Sequence, residues 1–179
     1  MTDILSAAEV ISRIPDLDLA AATYRALDVG LTNHTILVQA KERKLVLRLD
    51  TGHTELLGLN RSTELAILKQ AAARGIAPDV VLADPDAGIL VYEYLPGRTW
   101  LPSDLEERSN LEAVAGLIRA VHALTKSGVA FDAKGAAERY AAVIRRNEAL
   151  HSFARRCNEI IAGMPRVTDT VCCHNDIVA

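Results

Sequence analysis

Lys44-Leu45-Val46-Leu47-Arg48-Leu49-Asp50 is the stretch on which the fold turns. In an extended chain, side chains point alternately to opposite sides. Leu45, Leu47 and Leu49 therefore share one face, and Lys44, Val46, Arg48 and Asp50 share the other. The plain reading is a half-buried strand with a polar outer face. Upstream, residues 35–40 form a second strand-like run, and Lys41-Glu42-Arg43 is a polar connection between the two. Residues 20–29 read as a further strand, separated from the second by the turn Gly30-Leu31-Thr32-Asn33. Three such runs with short connections predict an antiparallel meander.

The pattern changes on either side of the meander. Residues 4–14 carry Ile4, Ala7, Ala8 and Ile11 at helical spacing, ended by Pro15. After the loop Thr51-Gly52-His53, residues 61–74 read as a helix with a stripe of Glu64, Ile67, Leu68 and Ala71, and Gly75 stands where a helix ends. Residues 80–83 and 88–95 are two more strands joined at Asp84-Pro85-Asp86, and Pro96-Gly97 breaks the second. Leu111, Val114, Ala115, Ile118 and Val121 keep helical spacing, residues 136–161 form another long helical stretch, and residues 167–173 look extended. These runs predict an α+β protein. Residues 1–95 form a five-stranded antiparallel sheet with one inserted helix, residues 96–98 form a hinge, and residues 99–179 are mainly helical.

Composition narrows the function. The chain has 179 residues, half of them hydrophobic and 24% charged, which is ordinary for a globular protein. A net charge of −3 gives no basic field for nucleic acid. No run approaches the roughly 18 apolar residues of a membrane span. Residues 1–15 lack the basic start of a signal peptide, so the expected compartment is the cytoplasm. Cys157, Cys172 and Cys173 form no spaced framework for disulfides or a metal.

Four places could carry chemistry. Glu64 shares its helix face with apolar residues, where a carboxylate needs a partner, and Arg48 can fork two hydrogen bonds to one. The alternative is that Glu64 simply favours the positive end of its helix. The turn Gly30–Asn33 can bring backbone N–H groups close to an anion, or it is only a turn. The strand through Glu93, Tyr94 and Leu95 leads into a break between two halves. Its backbone groups could bond a flat heterocycle, or it is a plain linker. In His174-Asn175-Asp176, Asp176 follows an apolar run at a position suited to a general base acting on a hydroxyl, and His174 suits a packed anchor.

The order of these parts resembles the protein-kinase plan. The details are similar to the choline/ethanolamine kinase family, a branch of the aminoglycoside-phosphotransferase-like kinases. The matching segments are Gly30-Leu31-Thr32-Asn33, Val46-Leu47-Arg48-Leu49, Glu64 with Gly75-Ile76-Ala77-Pro78, Tyr92 to Arg98, and His174-Asn175-Asp176. The resemblance implies a bilobal fold that binds ATP and Mg²⁺ and phosphorylates a small alcohol, choline or ethanolamine first. It implies that Arg48 meets the ATP phosphates and that Glu64 orients it. By the same resemblance, Val46 would lie over the adenine, Glu93 to Leu95 would read the adenine edge, Gly30 to Asn33 would cover phosphates, and Asp176 would take the substrate proton. The family's metal-binding Asn falls at the second residue past Ala179, so the resemblance implies an incomplete C-terminal lobe and no metal ligands within the chain. From this follow an inactive isolated chain and apolar helix faces that favour self-association. A non-catalytic nucleotide-binding or interaction module, or an antibiotic or thiamine kinase, is the competing expectation.

Overall fold

The computed structural model describes residues 6–15, 17–18, 22–29, 33–128, 130–144, 148–163 and 170–173. Gly30, Leu31, Thr32, His174, Asn175 and Asp176 lie outside the described residues. Packing divides the chain into two compact units. One takes the described residues of Met1–Thr51, Arg61–Ser127 and Val171–Ala179; the other takes those of Gly52–Asn60 and Gly128–Thr170.

The first unit begins with α1 (Ala7–Ile11). A helix this short does not stand alone in water. Ser6 and Glu9 cap it reciprocally: the Glu9 N–H donates to Ser6 Oγ (3.3 Å) and the Ser6 N–H to Glu9 Oε2 (2.6 Å). Val10 and Ile11 then bury completely against the sheet.

Five strands follow: β1 (Thr23–Val29), β2 (Asn33–Ala40), β3 (Arg43–Asp50), β4 (Val80–Asp84) and β5 (Ile89–Glu93). They form one antiparallel sheet in the order β1-β2-β3-β5-β4. The register pairs Leu45 with Glu93, Leu47 with Val91 and Leu49 with Ile89. Residues opposite one another share a face, so the leucine face of β3 continues into β5. That face is the main core, with Val10, Ile11, Val38, Leu45, Leu47 and Val91 fully buried. The opposite face of β3 carries Val46 and Arg48, beside Tyr92 and Leu90 of β5. This face is not wholly polar, since Val46 is also buried.

Between β3 and β4 the chain forms a four-residue helix, α2 (Thr54–Leu57), and the expected longer one, α3 (Arg61–Ala72). Gly75 ends α3 in a left-handed turn, φ 69°. Its N–H donates to the Ala72 carbonyl (2.8 Å) and the Ile76 N–H to the Ala71 carbonyl (3.1 Å). This is the two-bond closure that satisfies a helix's last carbonyls. Ile76 packs back into a second core of Ala71, Leu124 and Cys172. α4 (Arg108–His122) reaches that core through Val121. Gln70 of α3 binds Thr125 just past α4: its Nε2 donates to the Thr125 carbonyl (3.2 Å), and its Oε1 accepts from the Thr125 N–H (3.0 Å).

The second unit holds α2, α5 (Ala133–Ile144) and α6 (His151–Ala162). A single helix over residues 136–161 does not form. A 3₁₀ turn at Glu148–Leu150 leads into α6, with residues 145–147 outside the described set. Residues 170–173 join no sheet. Without a strand partner, their apolar character is met by packing: Cys172 is buried among helix residues while Cys173 is exposed. No helix among the described residues is long and apolar enough to cross a membrane.

Candidate functional site

The polar face of β3 and the first turn of α3 bring four charged side chains together. Arg48 Nη2 meets Glu64 Oε1 at 2.9 Å, with side chains 22% and 36% exposed. Glu64 is thus less buried than its place in an apolar stripe implied, and it has a second cation. Arg61 Nη1 donates to Glu64 Oε2 at 2.7 Å. Arg61 Nε donates to Asp50 Oδ2 (2.9 Å), and its Nη2 donates to Asn33 Oδ1 (3.0 Å). Arg61 and Asp50 are the most enclosed of the group, at 13% and 12%.

Arg61 and Asp50 are site residues that sequence reading missed. One signal was available: Arg61 opens a helix, where a cation faces the positive end of the macrodipole. A residue there needs a tertiary reason, and three acceptors supply it. Burial alone would make the Arg61 guanidinium easier to deprotonate, but its bonds to Glu64 and Asp50 outweigh this and raise its pKa.

Asn33, Arg48, Arg61, Glu64, Gly88 and Leu90 line a small cleft, completed by Leu65, Ala83, Pro85 and Ile89. The Gly88 carbonyl accepts from the Asp50 N–H at 2.9 Å. Gly88 has φ 66°, and a Cβ there would lie 2.5 Å from the Asp50 Cβ. The β4–β5 turn and the end of β3 can approach this closely only with glycine. Beside the cleft, burial pushes the Tyr92 phenol up, with smaller opposing effects from Arg48 and Glu64.

Of the expected nucleotide residues, Asn33, Arg48 and Glu64 converge on this cleft. Val46 is buried one step along β3 and does not line it. Glu93, Tyr94 and Leu95 also lie outside it, and their backbone is less available than the sequence implied. The Glu93 N–H donates to the Asp79 carbonyl and the Tyr94 N–H to the Lys44 carbonyl, both at 3.0 Å. Pairing thus runs one residue beyond β5. The Glu93 side chain is tied to Arg43 (2.5 Å), and Lys44 Nζ lies 5.8 Å from the centre of the Tyr94 ring.

Past this strand the connection is fastened. Arg98 grips Asp104 with two bonds (2.6 and 2.5 Å), and Asp104 Oδ2 also accepts from the Leu101 N–H (2.6 Å). Arg98, with the Leu101 N–H, lowers the Asp104 carboxyl to about 2. Cys172, two residues before His174, is anchored against Ala71 and Leu124. No group of three or more His, Cys, Asp or Glu side chains that could hold a metal occurs among the described residues. The two acids of the cluster, Glu64 and Asp50, are occupied by arginines, so this cluster does not fit a divalent cation.

The profile of the phosphotransferase enzyme family (APH) matches residues 23–179. The chain belongs to the APH phosphotransferase family. Solved structures agree on the fold. The choline kinase LicA from Streptococcus pneumoniae superposes with a TM-score of 0.62 at 22% identity, over 86% of this chain and 55% of that one. A choline/ethanolamine kinase family protein from Mesorhizobium loti gives 0.59 at 25% identity, over 87% and 52%. A complex of LicA with AMP gives 0.58 at 18% identity, over 86% and 56%. This APH-family chain therefore spans about half the length of the structures it resembles. No curated protein sequence matches it significantly.

Proposed function

We propose that this chain carries the nucleotide-binding part of an ATP-dependent phosphotransferase that phosphorylates a small alcohol, with choline or ethanolamine the leading acceptor. One observation carries the reading: a half-buried arginine on β3 is held by an acid from α3 at the wall of a cleft. Phosphoryl transfer asks a protein chiefly to position the triphosphate and neutralise charge. A fixed guanidinium, planar and always charged, does both. Glu64 fixes its direction, and Asn33 puts the end of the Gly30–Asn33 stretch at the same cleft.

The adenine is assigned to the strand end beyond Tyr92. With the Glu93 and Tyr94 N–H groups engaged in pairing, the Leu95 N–H and nearby carbonyls are left to read its edge. Asp176 is the proposed base: it accepts the hydroxyl proton as the oxygen attacks the γ-phosphorus, the bond to the β-phosphate oxygen breaks, and ADP leaves. The choline/ethanolamine preference is supported by the fold neighbours and by the His174-Asn175-Asp176 triplet. A cytoplasmic location belongs to the same proposal.

The test is ADP release by the full gene product with ATP and a panel of choline, ethanolamine, thiamine and aminoglycosides. Turnover with an amino alcohol is expected, and Asp176→Asn should abolish it while ATP still binds. Unchanged turnover in that variant would remove Asp176 from its role. ATP binding without turnover on any alcohol would favour a binding module.

A further inference from the structure

Arg61 is the part of the cleft that the proposal above leaves unused. Its guanidinium touches three elements at once: Asn33 at the start of β2, Asp50 at the end of β3, and Glu64 in α3. Asn33 and Asp50 sit opposite each other in the β2–β3 register, so Arg61 clamps the mouth of that hairpin to the helix. It also divides the Glu64 carboxylate, leaving Oε1 for Arg48 and keeping Oε2 for itself. Without Arg61, both carboxylate oxygens could turn to Arg48. The resulting two-bond fork would draw the Arg48 guanidinium toward the acid and away from the cleft.

We infer that Arg61 is a positioning residue for polyphosphate binding: by holding Glu64 Oε2, Asn33 and Asp50, it sets the direction in which Arg48 is presented to the β and γ phosphates. This rests on the nucleotide reading above. Arg61 acts through Glu64, so its effect must depend on the number of phosphates and must vanish when Glu64 is altered.

The experiment is calorimetric titration of the full chain with ATP and with AMP, which lacks the β and γ phosphates. It compares the unaltered protein with Arg61→Met, Glu64→Gln and the double variant. Arg61→Met should weaken ATP about tenfold and change AMP by less than about twofold, the scale of one lost charge-assisted bond. Glu64→Gln should do the same, and the double variant should be no weaker than either single one. Equal weakening of ATP and AMP, no weakening of ATP, or additive losses in the double variant would each overturn the inference. Should Arg61→Met fail to fold, Arg61→Lys keeps the charge without the three-way fork, and the same ATP-selective loss is expected. If the unaltered chain binds neither nucleotide, the phosphotransferase reading itself fails; if it binds both and the Arg61 variants spare ATP, only this inference fails.

Discussion

Two carboxylates show how differently this chain uses the same group. Asp104 lies near the surface with its side chain 17% exposed, and two bonds from Arg98 and one from the Leu101 N–H hold its carboxyl at about 2, below its ordinary 3.8. A carboxyl depressed in the folded state stabilises it above the unfolded value, and that contribution is lost as pH falls through the folded one. The urea midpoint of the native protein should therefore exceed that of Asp104→Asn by a constant amount down to about pH 4, and the gap should close between about pH 4 and 2. Added salt should narrow it, because the Arg98 side of the pair is 65% exposed. A gap that widened toward acid would refute this role. Glu64 instead works at the cleft, between two arginines. Its pairing with Arg48 was readable from helix spacing, because an acid in an apolar stripe calls for a cation. Its second partner was not readable: helix periodicity shows which residues share a face, but it cannot say that Arg61 reaches back to the mouth of a hairpin.

The strands and helices were legible where alternation or caps were clean. β3 is the clearest case, since its three leucines define a face that no other register can bury. Leu47 is fully enclosed, and Leu47→Ala should lower unfolding free energy by about 2–5 kcal/mol, read by urea denaturation. Legibility failed at residues 136–161, where good helix formers run through a break at a 3₁₀ turn, while residues 170–173, read as extended, join no sheet and bury Cys172 instead. Composition carries no mark that separates those cases. Two glycines make a further comparison. Both have positive φ, but a Cβ at Gly75 meets nothing, whereas one at Gly88 runs into Asp50. Gly75→Ala should cost about 1–2 kcal/mol, the backbone penalty alone. Gly88→Ala should cost more and should also weaken ATP binding, because it displaces Asp50 from Arg61. Equal destabilisation by the two changes, with ATP binding intact, would contradict the role given to that close approach.

For the molecule as a whole, the α+β architecture and the family followed from the order of elements, which a linear sequence does record. The backbone state of the strand end proposed for the adenine was not legible, because the bonding of Glu93 and Tyr94 depends on Asp79 and Lys44, distant in sequence. Self-association remains a proposal with a defined surface. Phe153 and Ile160, seven residues apart on one side of α6, are 62% and 60% exposed. Light scattering should show a mass that rises with concentration, and Phe153→Ser with Ile160→Ser should abolish the rise; a monomer at every concentration would end the proposal. Whether the Arg48–Glu64 pair faces the phosphates of ATP is decided by a crystal structure with a non-hydrolysable ATP analogue. The expected result is β- or γ-phosphate oxygens within about 3 Å of the Arg48 guanidinium, with the bond to Glu64 retained. A nucleotide bound away from the cleft between β3 and α3, or one whose phosphates lie out of reach of Arg48, would contradict it.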